Sequence, residues 1–322
     1  MAERRALGRT SVEVTPIGLG CSQFSGGLGL FGGKWETLAQ GTVDEIVRAA
    51  LAGGIGWFDT AEIYGNGRSE QALSRALAAG GRRDGDLVIA TKWWPLLRRA
   101  RTIGETIDVR LRCLGGFSID LHQVHHPYSL SSIEAEMEVM AALVAARKIR
   151  AVGVSNFSAA RMRRAHAALA RHGIPLASNQ VRYSLVDRRI ETNGILDAAG
   201  ELGVTVIAYS PLGKGLLSGR FHDDPTLVRS RVGPRRYMPL FRPRGLERTR
   251  PLIDELRRVG ASHRVSAAQV ALNWLTHRHG ETVVAIPGAT RPSHAEEAAG
   301  SMAFVLSAQE ISRIDERSQS FR

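Results

Sequence analysis

Eight short apolar or β-branched runs recur along the chain, separated by longer segments of helical period. The runs are "PIGLGC", "GWFD", "DLVIATK", "IDLHQVHH", "IRAVGVSN", "LASNQVRY", "VTVIAYSP" and "TVVAIPG". Between them lie amphipathic segments such as "TVDEIVRAALAGG", "SEQALSRALAAGG", "SIEAEMEVMAALVAARK" and "SAARMRRAHAALARHG". Strands alternating with helices require a parallel sheet. Eight such units in 322 residues predict an α/β fold of the closed (β/α)8 TIM-barrel type rather than an open sheet. No Pro/Gly/Ser-rich linker divides the chain, so residues 1–322 are expected to form a single barrel domain. "RALGRTSVEVTPIG" predicts a β-hairpin ahead of the first strand. Three helix starts have capping-box spacing: Ser131 with Glu134, Ser293 with Glu296, and Ser307 with Glu310. The longest gap, between strands seven and eight, holds the Arg- and Pro-rich "RSRVGPRRYMPLFRPRGLERTR" and then "SAAQVALNWLTHRHG". A long basic loop there, on the C-terminal face of a barrel, is positioned to fold over a ligand.

Composition narrows the function classes. No apolar run approaches the roughly 20 residues of a membrane span, and the N-terminus has no apolar segment behind its charges. Cys21 and Cys113 match no metal spacing and no disulfide framework. The expectation is a reduced, cytoplasmic protein without a metal. The formal net charge is +12, but no aromatic residues interleave with the basic clusters to stack bases, which argues against nucleic acid. Only four of the 43 basic residues are lysine: Lys34, Lys92, Lys148 and Lys214. Where almost every cation is arginine, each lysine marks a candidate position for a compact ammonium of adjustable pKa.

"GLGLFG", with Gly27, Gly29 and Gly32, matches G-x-G-x-x-G. That fingerprint needs a strand–turn–helix context, and here the next helical pattern starts only near Thr42. A Rossmann site is therefore not expected.

In a barrel, function collects at the C-terminal ends of the strands. Read in order, those ends carry Asp59, Lys92, His125, Ser155 with Asn156, Gln180, and Tyr209 with Ser210. Tyr64 follows Asp59 by five residues. "HQVHHP" does not read as a metal site, because strand alternation points His122 and His126 away from His125. A phenol with a pKa near 10 is a weak acid at neutral pH, and a nearby ammonium lowers that value. Asp59 paired with Lys92 compensates the burial of both charges. A histidine donor orients a carbonyl oxygen. Together these groups suit carbonyl reduction with a proton from Tyr64 and a hydride from a bound cofactor.

The motifs "GWFDTAEIYGNGRSE", "VIATKW", "DLHQVHHP", "VGVSNF", "SNQVRYSL", "IAYSPLGKGLLSGR" and "IPGATRPSHAEEA" resemble, in order, those of the aldo-keto reductases. The resemblance covers essentially the whole chain. It implies a (β/α)8 barrel that binds NADPH without a Rossmann domain. It implies a catalytic tetrad of Asp59, Tyr64, Lys92 and His125. It implies that Ser155, Asn156 and Gln180 hold the cofactor carboxamide and that Tyr209 stacks on the nicotinamide. Ser210, Pro211, Leu212, Lys214, Gly215 and Arg220 resemble the pyrophosphate loop. Gly288, Thr290, His294 and Glu297 resemble the adenosine end, with Arg291 as candidate for the 2′-phosphate. Ala298 stands where the family often has Asn, which removes one adenine contact.

The implied activity is reduction of a small aldehyde or ketone. Alternatives are an NADPH-binding regulatory module resembling potassium channel β subunits, or an aldolase-type barrel with Lys92 as Schiff base. Phe24, Trp35, Trp93 and Trp94 suggest an aromatic-lined substrate mouth. The first loop, with Trp35, resembles the pyridoxal-reductase branch, and a sugar, a quinone or a polyketide carbonyl fits the same outline.

Overall fold

The computed structural model describes residues 3–26, 37–230 and 234–322. Strands β1 (Arg5–Ala6) and β2 (Glu13–Val14) pair antiparallel as the opening hairpin. The alternation then begins with β3 (Leu19–Gly20), α1 (Gln40–Ala52), β4 (Trp57–Asp59), α2 (Arg68–Ala79), β5 (Val88–Trp93) and α3 (Arg101–Cys113). It continues with β6 (Leu121–Val124), α4 (Ile133–Ala145), β7 (Ala151–Ser155), α5 (Ala159–Ala170), β8 (Leu176–Arg182) and α6 (Ile195–Leu202). After β9 (Thr205–Tyr209) come α7 (Arg220–Asp223), α8 (Leu227–Ser230), α9 (Pro243–His263) and α10 (Ala267–His277). The chain ends with β10 (Val283–Ile286), α11 (Pro292–Gly300) and α12 (Ala308–Ser318).

Strands β3 to β10 form one parallel sheet in sequence order. Parallel bridges from Ile17 to Ala285 and from Gly20 to Gly288 join its two edges. The sheet is therefore an eight-stranded barrel, as the alternation predicts. All eight runs read as strands fall on its staves. Among the described residues, no helix is long and apolar enough to cross a membrane.

Period-two geometry divides the apolar residues between two cores. Trp57, Val88, Ala90, Leu121, Ala151, Ala177, Ile207, Val284 and Ile286 fill the barrel, and Leu7, Val12 and Val14 of the hairpin join them. Residues of opposite parity, such as Phe58, Ile89, Val124 and Val206, pack outward beneath the helices. Arg5 ties the hairpin to the rest of the protein, donating to the carbonyls of Val283 (3.1 Å) and Gly280 (3.3 Å).

Side chains cap the starts of α4, α5, α10 and α12, with two departures from expectation. The Ser307–Glu310 box forms, and a second joins Ser266 to Gln269. Ser131 does not cap α4: Ser132 does, accepting from the Ala135 amide, while the Ser131 hydroxyl accepts from the Ala100 amide. Ser293 lies inside α11, whose start is set by Pro292. The basic segment between strands seven and eight is also less loop-like than it reads. From Pro243 onward it is helix α9, which continues through Pro251.

The bottom of the barrel has no spare room. A Cβ on Gly18 would lie 2.2 Å from the ring of Trp57, which is fully buried and hydrogen-bonded to the Thr15 carbonyl. Gly18→Ala is expected to lower unfolding free energy by about 1–3 kcal/mol, read as a lower urea midpoint at unchanged slope.

Candidate active site

A cleft of about 660 Å³ opens at the C-terminal ends of the strands. Its floor is built on one buried ion pair. Lys92, at the end of β5, is wholly inaccessible to solvent. Its ammonium bonds the Asp59 carboxylate at the end of β4 and the Thr60 carbonyl (2.8 Å). Burial alone would favour the neutral amine. Asp59, with help from Tyr64, more than offsets this and holds Lys92 above the ordinary lysine value. The second Asp59 oxygen accepts from the side-chain amides of Gln180 (2.8 Å) and Gln123 (3.2 Å).

Tyr64 swings back over this pair on the loop after β4. The Lys92 ammonium lies 5.3 Å from its ring centroid. The two effects on its phenol oppose each other. Burial raises its pKa and Lys92 lowers it, and burial wins, so the phenol titrates above the usual tyrosine value. This corrects the expectation of a net lowering by Lys92. His125 meets Tyr64 edge to face at 5.7 Å. Burial, reinforced by Lys92 and His126, pushes His125 well below the ordinary histidine value, so its imidazole is neutral. Its buried Nδ1 has no hydrogen-bond partner among the described residues.

The remaining strand ends form a polar arc. The Tyr209 hydroxyl donates to Asn156 Oδ1 (3.0 Å), whose Nδ2 reaches Ser155 Oγ (3.0 Å) and the His125 carbonyl (3.2 Å). Beyond them Ser210, Pro211, Leu212, Lys214 and Gly215 curl around the cleft with Arg220. Ser210 (φ 53°) and Lys214 (φ 61°) are left-handed, a conformation held only where the surroundings fix it. A Cβ on Gly215, also left-handed, would press within 3.3 Å of the Arg220 guanidinium. At the far end Gly288, Thr290, Arg291, His294 and Glu297 line the wall. Arg291 donates to His294 (3.0 Å), and Glu297 accepts from Ser266. The long segment after β9 does reach the cleft: Arg235 lines it and donates to the Lys214 carbonyl (2.9 Å).

Two of the residues assigned to an aromatic mouth, Trp93 and Phe24, are not found there. Trp93 is fully buried on the outer face of β5 and bonds Thr102. It follows Lys92, so strand alternation turns it under α3. Phe24 is 3% exposed in the outer core, leaving Ser22 and Gln23 on the cleft wall. Trp35 lies outside the described residues, as do Gly27, Gly29, Gly32 and Lys34. Trp94 does line the cleft. His126 departs from expectation too. β6 ends at Val124, alternation stops, and the rings of His125 and His126 stack at 5.2 Å. His122 is buried on the outer face, where burial and then the positive charge of Arg110 disfavour its protonation. Among the described residues no group of side chains could hold a metal ion.

Sequence reasoning passes over Gln123, Arg182 and Arg235. Gln123 was within reach, because it shares the inward parity of His125. Arg182, 5.7 Å over the Tyr209 ring, and Arg235 depend on the folded path of the chain.

A cofactor site follows from this chemistry. The amide and hydroxyl cluster of Ser155, Asn156 and Gln180 suits a carboxamide. The left-handed Gly215 cradle beside Lys214, Arg220 and Arg235 suits a diphosphate. The residues present therefore fit a nicotinamide dinucleotide.

The aldo/keto reductase family model matches residues 23–319. The chain is 37% identical over 310 residues to an oxidoreductase of Mycobacterium tuberculosis, covering 96% of this chain and 91% of that protein. It is 32% identical to an aldo-keto reductase of Strobilurus tenacellus, covering 84% and 79%. The glycerol dehydrogenase of Gluconobacter oxydans superposes with a TM-score of 0.82 at 27% identity, covering 96% of this chain and 94% of that one. A thermostable aldo-keto reductase solved with the inhibitor epalrestat superposes at 0.77 and 28%, covering 98% and 99%. The chain belongs to the aldo/keto reductase family, a class of oxidoreductases that act on carbonyls with a nicotinamide cofactor.

The buried imidazoles make stability pH-dependent. His122 is held down to about 3 in the fold, whereas the unfolded chain takes that proton near 6.5. Its contribution is complete above about pH 6.5 and is lost as pH falls. His122→Asn is expected to flatten the acid limb of stability against pH by up to about 1.4 kcal/mol per pH unit, measured by urea unfolding from pH 7 to 4.

Proposed function

We propose that the protein is an NADPH-dependent reductase of aldehydes or ketones, acting as one barrel domain over residues 1–322, with Tyr64 as general acid. The observation that carries this reading is Tyr64 and His125 facing one cleft directly above the buried Lys92–Asp59 pair. A bound nicotinamide would supply the hydride. The carbonyl oxygen would sit between the Tyr64 hydroxyl and the neutral His125 imidazole. As negative charge develops there, Tyr64 gives its proton to the oxygen. The Lys92 ammonium stabilises the phenolate left behind. Asp59 keeps that ammonium charged and fixed, so no reorganisation is needed when the proton moves.

Ser155, Asn156 and Gln180 would hold the carboxamide, and Tyr209 would stack on the nicotinamide ring. Ser210, Pro211, Leu212, Lys214, Gly215 and Arg220 would grip the diphosphate. Gly288, Thr290, His294 and Glu297 would take the adenosine end, with Arg291 on the 2′-phosphate. The named activity of the Gluconobacter relative, a glycerol dehydrogenase, supports chemistry between an alcohol and a carbonyl. A Schiff-base role for Lys92 lacks support, because that lysine is inaccessible and held as an ammonium. The free thiols Cys21 and Cys113 fit a reducing, cytoplasmic setting.

Tyr64→Phe is expected to lower kcat for carbonyl reduction by about 10²–10⁴-fold while NADPH still binds with near wild-type affinity. Near-full activity would sink the assignment. Arg291→Ala is expected to weaken NADPH binding about 10- to 100-fold, the worth of a charge-assisted hydrogen bond, and to leave NADH binding little changed. Fluorescence titration with both cofactors reads this, and equal losses would remove Arg291 from the 2′-phosphate.

A further inference from the structure

From His125 a column of rings leads out of the cleft. His126 stacks on His125 with its plane 3° away, and Tyr128 stacks on His126 at 5.6 Å and 14°. Trp94 stands perpendicular to both imidazoles, at 5.2 and 5.5 Å. Trp94, His125 and His126 line the cleft, and Tyr128 lies beyond its wall, 61% exposed. The two loops carrying these rings are fastened to each other. Leu130 donates its amide to the Arg98 carbonyl (2.8 Å), and Arg98 donates to the Trp94 carbonyl (3.1 Å).

The rim around the column is apolar. Among the described residues seven large hydrophobic side chains are exposed, and four of them, Leu96, Leu97, Tyr128 and Leu130, sit on these two loops. Such a concentration marks a contact surface rather than scattered exposure. The rings of the column carry no formal charge; on the adjoining loop Arg98 pairs with Glu62 (2.6 Å) and Arg99 is exposed. Burial, with Lys92 adding to it, keeps His126 below the ordinary histidine value. A polyol would find few partners along these rings, whereas a flat ring would find ring faces and edges.

We propose that this wall is a stacking subsite for flat carbonyl compounds bearing a second aromatic ring, and that His126 and Tyr128 set that preference. The inference rests on the reductase reading above, because it takes Tyr64 and His125 as the end that holds the carbonyl. A ring attached to that carbonyl lies against Trp94 and His126. A second ring, fused or linked in line, reaches Tyr128.

The test is kcat/KM with NADPH for butanal, benzaldehyde and 2-naphthaldehyde, in the wild type and in two variants of Tyr128. The wild type is expected to prefer 2-naphthaldehyde over benzaldehyde. Tyr128→Ala is expected to lower that ratio about two- to tenfold, mainly through KM, and Tyr128→Phe to retain it. Quenching of tryptophan fluorescence by 2-naphthylmethanol is expected to weaken in step in the Ala variant. If butanal and benzaldehyde are reduced but the second ring brings no gain, the subsite is overturned and the reductase reading stands. An unchanged ratio in Tyr128→Ala has the same meaning. If sedimentation then shows a dimer becoming a monomer, the rim belongs to self-association. Absence of turnover with every aldehyde overturns both readings.

Discussion

The ion pair between Lys92 and Asp59 is the constraint on which the rest of the site depends. An ammonium with no access to water is tolerable only when a fixed counter-charge and further hydrogen bonds surround it. Here β4 supplies Asp59, β5 supplies Lys92, β6 supplies Gln123, and β8 supplies Gln180. One carboxylate thus binds four staves of the barrel at a single level. Any slip of a strand by one residue would turn its member of this cluster to the outer face. The charge pair therefore enforces the same register that the apolar layers below it prefer.

The consequences extend to the groups above. Low-dielectric surroundings keep Tyr64 protonated and His125 neutral, while Lys92 keeps its charge because Asp59 is in contact with it. Similar burial thus produces opposite protonation outcomes, and what separates them is the contact with Asp59. The site therefore presents a neutral phenol and a neutral imidazole to a fixed ammonium.

Much of this was legible from spacing. Short runs at barrel intervals marked all eight strands, and polar residues at their ends marked the cleft, because strand ends are where a barrel's apolar demand stops. Failures came where local geometry overrides that rule. Trp93 follows an inward lysine and so must face outward. Phe24 sits in a 3-10 turn whose twist carries it into the outer core. His126 lies one residue past the last strand pairing, where alternation no longer applies. The basic segment before α10 reads as loop because of its prolines, yet Pro243 starts a helix and Pro251 rides within it.

By itself the sequence determined the number of strands, the parity of each stave and the chemistry available at the mouth, since these depend only on the order of side chains along the chain. Tertiary structure decided which of those side chains share a carboxylate. It also decided how far burial outweighs charge at Tyr64, and that two consecutive histidines and Tyr128 stack into a column. Those outcomes depend on distances between strands and loops far apart in the chain, set only when the barrel closes.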